Sequence, residues 1–109
     1  MASNIDISAE LWETDLLPKE RVTMDLKEKF EDAQKRVKTL KKAPATDALL
    51  KLYSLYKQGS VGDVSGKRPG MLDIRGRAKY DAWKGQRGMS SDDAMQAYVD
   101  FVDELIAKQ

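Results

Sequence analysis

The sequence predicts an all-α protein, a four-helix bundle with a long overhand crossover loop between helices 2 and 3. Three observations lead there. Apolar residues recur at helical spacing in separate segments, glycine and proline collect in one long connection, and a length of 109 residues suits one domain with one modest core.

Residues 1–24 show no sustained period and contain Pro18. They read as a flexible N-terminal extension outside the fold, with Trp12, Leu16 and Leu17 leaving a second reading, docking on the body or on a partner. The domain is expected over residues 25–109. Its first helix starts at Asp25, where Leu26, Phe30, Ala33, Val37 and Leu40 form one apolar stripe that Pro44 ends. Thr46 or Asp47 can cap the second helix, in which Leu49, Leu52 or Tyr53, and Tyr56 continue the period to about Gln58. Gly59 is the expected stop.

The stretch from Gly59 to Asp73 holds Gly59, Gly62, Gly66, Pro69 and Gly70, too irregular for a strand and too long for a helix hairpin. At about 3.3 Å per residue, a connection of this length can run back along a helix of about 14 residues, which rises only about 21 Å. Helices 2 and 3 are therefore expected to be parallel. The third helix reads from Ile74 to Gln86 with Ala78, Ala82 and Trp83 inward, closed by Gly85 and Gly88. The fourth starts at "SSDDAM", where Ser90 and Asp93 have capping-box spacing. Ala94, Ala97, Tyr98, Phe101, Val102 and Leu105 supply its buried face.

Composition narrows the chemistry. The chain has no cysteine and no histidine, which removes disulfides, thiolates and the commonest general base and metal ligand. A reducing, cytoplasmic setting is expected, since no apolar run is long enough to span a bilayer and the amino terminus lacks a secretory pattern. Residues 1–24 carry five acidic and two basic residues, leaving 17 basic against 13 acidic residues in the rest, an excess of four. That is too weak for a nucleic-acid footprint and suits a small polyanion held by a few placed cations.

Tyr53, Tyr56 and Lys57 lie at i, i+3 and i+4, so one helix face carries two phenols and one ammonium. Such a face can donate to a phosphate and stack on a base; equally, tyrosines at this spacing can be core residues with wet tips. Spacing leaves both readings open. Lys79 and Tyr98 repeat the chemistry on helices 3 and 4 without a spacing argument tying them to this cluster. Lys67 to Gly70, "KRPG", reads as a turn. No Walker, GxGxxG or HExxH element is present.

"LLKLYSLYKQGSVGDV" followed by "RPGMLDIRGRAKYDAWKGQRGMSSDDAMQAYVDFVDEL" resembles the acyl-CoA-binding protein family, from Phe30 to about Leu105 without a gap. The resemblance implies a non-catalytic monomeric carrier of medium- to long-chain acyl-CoA esters, bound one to one, with no cofactor, no metal and no stable membrane insertion. Transient contact with membranes or acyl-CoA enzymes is compatible with it. Carried over by position, it implies that Tyr53, Tyr56 and Lys57 contact the ligand, Lys79 grips the nucleotide phosphate, and Tyr98 lies near the coenzyme. It assigns Lys38 a weaker contact and Leu49 and Leu50 to the acyl groove. Three positions depart from the family pattern: Tyr80 for a frequent tryptophan, Gly59 for a frequent alanine, and Lys51 for a large apolar residue. Lys51 bears on the length and polarity of the groove. The competing reading is an all-α protein-interaction module without a small-molecule ligand; a thioesterase or acyltransferase would need a nucleophile or base other than Cys or His.

Overall fold

An amphipathic helix is stable only when its apolar stripe is covered by another, and the way the stripes pair here fixes the architecture. In the computed structural model, which describes residues 25–109, four α-helices follow one another. They are α1 Leu26–Arg36, α2 Thr46–Ser60, α3 Ile74–Lys84 and α4 Ser91–Lys108, with a single 3-10 turn, Val37–Thr39, after α1. The expected extension, residues 1–24, lies outside the described residues.

Each helix start has a local cause. Asp25 and Glu28 form a complete capping box: Glu28 N donates to Asp25 Oδ1 at 2.8 Å and Asp25 N donates to Glu28 Oε1 at 3.2 Å. Asp73 caps α3 by accepting from Gly76 N at 3.0 Å, and Ser90 caps α4 by accepting from Asp93 N at 3.0 Å.

The helices pair as α1 on α4, α2 on α4, and α2 on α3. Phe30 meets Tyr98 edge-on at 5.2 Å and Arg36 Nη1 donates to Asp103 Oδ1 at 2.6 Å, so α1 and α4 run in the same direction. Gln58 reaches the Met89 carbonyl while Lys51 lies over Phe101, so α2 and α4 are antiparallel. Lys79 lies over Tyr53 and Lys57 over Trp83, which makes α2 and α3 parallel, as the loop length requires. Phe30 and Ala33 of α1, Leu52 and Leu55 of α2, and Tyr98, Val99 and Val102 of α4 form the core.

The crossover, residues 61–73, has no regular structure and is fastened at four points. Trp83 Nε1 donates to the Gly62 carbonyl at 2.8 Å and Tyr80 OH to the Gly66 carbonyl at 3.2 Å. Arg68 makes a two-pronged pair with Asp81 at 2.9 and 2.7 Å. Asp63 Oδ1 accepts from Gln58 Nε2 at 2.8 Å and from Gly88 N at 2.9 Å. Gly62 and Gly66 have φ of 103° and 85°, which an L side chain adopts only at a cost.

Several boundaries differ from the sequence reading. The first helix tightens into 3-10 geometry at Val37 rather than continuing to Leu40. Neither Thr46 nor Asp47 is the N-cap of α2; that position is Ala45, with no side-chain cap. Gly59 does not stop α2. It is buried within the last turn, where an added Cβ would lie 3.1 Å from Met95 Cγ and 3.2 Å from Phe30 Cζ. Helix α3 ends at Lys84, two residues early, and only Trp83 on it is buried, because α3 packs on α2 alone. The α2 stripe is also shifted: Leu52 and Leu55 are buried, while Leu49 and Tyr56 are exposed.

Gly59→Val should destabilise the fold by about 1–3 kcal/mol through overpacking against Phe30 and Met95, read from urea denaturation. The Gly88 N–H, and next the Gln58 amide, hold the Asp63 carboxyl below its usual range, and the Arg68 guanidinium does the same for Asp81. Both depressions place stability above about pH 4, lost as pH falls through the folded values. Thermal melting should be flat from neutral pH to about pH 5 and then decline, and Asp63→Asn should flatten part of that acid slope.

Candidate functional site

Helix α2 packs on α3 and α4, meets α1 through Phe30, and keeps one bare face. Leu52, Leu55 and Gly59 turn toward α1 and α4, Ser54 and Gln58 are buried polar residues at the α3 side, and Leu49, Tyr53, Tyr56 and Lys57 remain around the open arc. The buried polar pair sets the register. Ser54 Oγ donates to the Lys51 carbonyl and accepts from Gln86 Nε2 at 3.1 Å, and Gln58 Nε2 donates to both Asp63 and the Met89 carbonyl at 2.8 Å. A buried amide or hydroxyl without such partners would cost about 1–3 kcal/mol, so these bonds hold the loop after α2 and the turn after α3 in register against α2, while Gln58 Oε1 has no partner among the described residues.

That register brings five of the sequence-predicted residues, Leu49, Leu50, Tyr53, Lys57 and Lys79, to the α2–α3 side. Lys79 Nζ lies 5.5 Å from the Tyr53 ring centre, and Lys57 Nζ lies 4.8 Å from the Trp83 ring centre. Leu49, Leu50 and Lys79, with Thr46, Arg75 and Ala78, line an open cleft of about 450 Å³ between α2 and α3. Among the described residues neither Lys57 nor Lys79 pairs with a carboxylate. Each ammonium instead rests on an aromatic face, worth about 0.5–1 kcal/mol at an exposed site, and keeps its N–H donors for an anion.

Tyr56 and Tyr98 sit on the other side of the strip. The Tyr56 ring stacks on Phe30 at 6.1 Å and, with Phe30, Gln34, Ser60 and Met95, borders a second cleft of about 380 Å³ between α1 and α2. Tyr98 is only 5% exposed and belongs to the core. Burial, and secondarily the nearby Tyr56 phenol, push its hydroxyl above its ordinary pKa. Lys38 lies exposed on the 3-10 turn and borders neither cleft. The sequence reading did not select Arg75, although its i, i+4 spacing to Lys79 places both cations on one face of α3. Lys51 does not enter the α2–α3 cleft; its ammonium lies 4.3 Å from the Phe101 ring centre, on the α4 side of α2. "KRPG" serves as the loop fastening through Arg68.

The arrangement is an apolar cleft with Arg75 and Lys79 in its lining, Tyr53 against Lys79, and Lys57 against Trp83. Comparison with known proteins adds the decisive point: the family profile described as acyl CoA binding protein matches residues 27–102. The chain belongs to the acyl-CoA-binding protein family. It is 56% identical over 79 residues to acyl-CoA-binding protein homolog 1 of Caenorhabditis elegans, covering 72% of this chain and 92% of that protein. It is 49% identical over 81 residues to the acyl-CoA-binding protein homolog of Drosophila melanogaster, covering 74% and 94%. The crystal structure of Oryza sativa acyl-CoA-binding protein 2 superposes with a TM-score of 0.73 at 40% identity, covering 76% of this chain and 92% of that one. The family match begins one residue into α1 and ends within α4, six residues before that helix ends.

The Tyr98 phenol tests whether the core and the site are coupled. A raised pKa places its stabilisation below about pH 10, lost as pH rises through the higher folded value. Tyr98→Phe should therefore lessen the alkaline decline in melting temperature relative to the parent protein while leaving the curve near neutral pH shallow.

Proposed function

We propose that this chain is a non-catalytic carrier that binds medium- to long-chain acyl-CoA esters one to one, with its binding domain at residues 25–109 and residues 1–24 as an extension. Family membership supports the ligand class, and the single observation that carries the site is Lys57 and Lys79, held on Trp83 and Tyr53 with no carboxylate partner among the described residues, Lys79 lining an apolar cleft. Acyl-CoA needs both halves. Its coenzyme head is a polyanion, a phosphate monoester alone carrying about −1.5 to −2 at neutral pH. Its alkyl tail gains about 0.8 kcal/mol for each methylene withdrawn from water.

Position supports distinct roles. Lys57, Lys79 and Tyr53 are assigned to the coenzyme 3′-phosphate, Tyr56 and the α1–α2 cleft to the adenine, and Leu49 and Leu50 to the first part of the tail. Arg75 joins them as a further cation along the α2–α3 cleft. Tyr98 supports the adenine side from beneath, through Phe30 and Tyr56, and Lys38 is at most a peripheral contact. The carrier is proposed to work as a monomer in the cytoplasm; among the described residues no helix is long and apolar enough to cross a membrane, and the sequence has no cysteine that would need an oxidising compartment.

Calorimetric titration tests the assignment through a cycle in which one change is made in the ligand. Hydrogen bonds to charged groups contribute about 1.5–3 kcal/mol. Lys79→Ala should therefore weaken palmitoyl-CoA about tenfold or more, yet hardly alter palmitoyl-dephospho-CoA, which lacks the 3′-phosphate. Leu50→Ala should weaken both ligands equally. Equal weakening of both by Lys79→Ala would remove the phosphate role, and no binding of palmitoyl-CoA by the unaltered protein would favour the interaction-module reading.

A further inference from the structure

A third cleft, of about 350 Å³, takes no part in the site described above and shares no lining residue with the other two. It opens where α1 and α4 end together, between the connection that follows the 3-10 turn and the last turn of α4. Leu40, Pro44 and Leu105, all half-buried, supply its apolar lining; the exposed Lys41, Lys42 and Lys108 supply three positive charges, with no acidic side chain in the lining. Lys41 N donates to Gln109 Oε1 at 2.9 Å, which ties the two walls together. Lys108 shares its charge with Glu104 at 3.3 Å, whereas Lys41 and Lys42 pair with no carboxylate among the described residues. Helix α2 begins directly behind Pro44, and its N-cap, Ala45, offers no side-chain acceptor to the first backbone N–H groups. Lining, lysines and helix start all suit one kind of occupant, an acidic stretch of chain with large apolar side chains.

The protein carries such a stretch itself. Residues 10–17, outside the described residues, hold Glu10, Glu13 and Asp15 with Leu11, Trp12, Leu16 and Leu17, and no basic residue. The distance to be covered is set by α1 and its 3-10 turn, 11 and 3 residues, which rise about 22 Å from Asp25 to the cleft. From Leu17 to Asp25 is eight residues, which extend to about 26 Å, and from Trp12 it is thirteen, which extend to about 43 Å. Both reach.

We propose that residues 10–17 dock in this cleft of their own chain, with Trp12, Leu16 and Leu17 against its apolar lining and the acidic side chains against Lys41, Lys42 and the start of α2. Charge complementarity selects the segment, and the tether selects the copy: a short flexible link supplies an effective concentration in the millimolar range, so at micromolar protein the chain's own segment fills the cleft ahead of a second molecule's. Docking of this kind fastens the end of α4 to the connection between α1 and α2, the one junction of the bundle held among the described residues by the single Lys41 to Gln109 hydrogen bond and the edge of the core. It uses none of the residues assigned to the ligand and does not depend on that reading.

The test is carbodiimide cross-linking of the full chain, which joins a carboxylate directly to an amine, read by peptide mass spectrometry on an equal mixture of heavy-nitrogen-labelled and unlabelled protein. Glu10, Glu13 or Asp15 should be joined to Lys41, Lys42 or Lys108, and each joined pair should carry one isotope only. Leu16→Ser combined with Leu17→Ser should lower the yield of these cross-links about tenfold. Glu13→Lys with Asp15→Lys, and separately Lys41→Glu with Lys42→Glu, should each lower the melting temperature by about 4 °C or more. The four changes together should recover about half of the summed loss, since the charges are exchanged and not removed. Cross-linking is read without acyl-CoA, so its outcome is separate from the calorimetric test of the carrier reading. Mixed-isotope cross-links alone would make the occupant a second copy, and cross-links from residues 10–15 to Lys27 or Lys57 instead would place the segment elsewhere. Either result, no cross-link from these acids at all, or strictly additive losses in the fourfold variant would overturn the proposal.

Discussion

The fold depends on one polar junction, the carboxylate of Asp63. It accepts from Gln58 on α2 and from the backbone of Gly88, between α3 and α4, while the same Gln58 amide nitrogen donates to the Met89 carbonyl. The end of α2 with the loop that follows it, and the turn between α3 and α4, about 25–31 residues further on, are thereby closed onto one point. A parallel pair of neighbouring helices needs a long irregular connection, and its backbone groups must find partners outside regular structure. Asp63, Arg68, Tyr80 and Trp83 answer that need, and through them the start of α3 is held beside the start of α2.

Everything proposed for the site follows from this placement. Helix α2 is covered on one side by α1 and α4 and on another by α3, which leaves one arc bare. Apolar burial alone would let α3 slide by a residue or a turn at modest cost, since the hydrophobic effect has no direction. The buried hydroxyl and amide of Ser54 and Gln58 forbid that, because a slip would strand them without partners. Lys79 therefore arrives over Tyr53 and Lys57 over Trp83, with each ammonium group placed on an aromatic face before any anion is present. Prior placement of this kind reduces the ordering that a ligand would otherwise have to drive.

The two clefts beside α2 differ in a way that suits a ligand with two dissimilar ends. The cleft toward α1 is walled by aromatic rings and Met95, the one toward α3 by Leu49, Leu50 and Ala78 with Arg75 and Lys79. Lys51, a position that seemed to threaten the apolar character of the groove, is withdrawn from it by its contact with Phe101. The tip of the crossover loop, at the start of α3 next to that second cleft, carries the exposed side chains of Met71, Leu72 and Ile74.

The sequence by itself determined the helical class, the four segments, the cap at Ser90, and the parallel pairing of α2 and α3. These depend on local spacing and on the reach of a connection, both of which a linear string records. That Tyr53 and Lys57 share one helix face was legible for the same reason, whereas Leu49 and Leu50 were assigned to the groove only through the family resemblance. What only the tertiary structure decided concerns faces and partners. Periodicity locates a stripe but does not say whether it meets protein or solvent, so Tyr56 at the same spacing as a core residue is exposed while Tyr98 is buried. Gly59 carries the same letter as a helix terminator and as a close-packing residue; only the approach of Phe30 and Met95 separates the two. Arg75 and the withdrawal of Lys51 likewise depend on which neighbour each helix face meets, a property set by packing between segments and not by the order of residues within one.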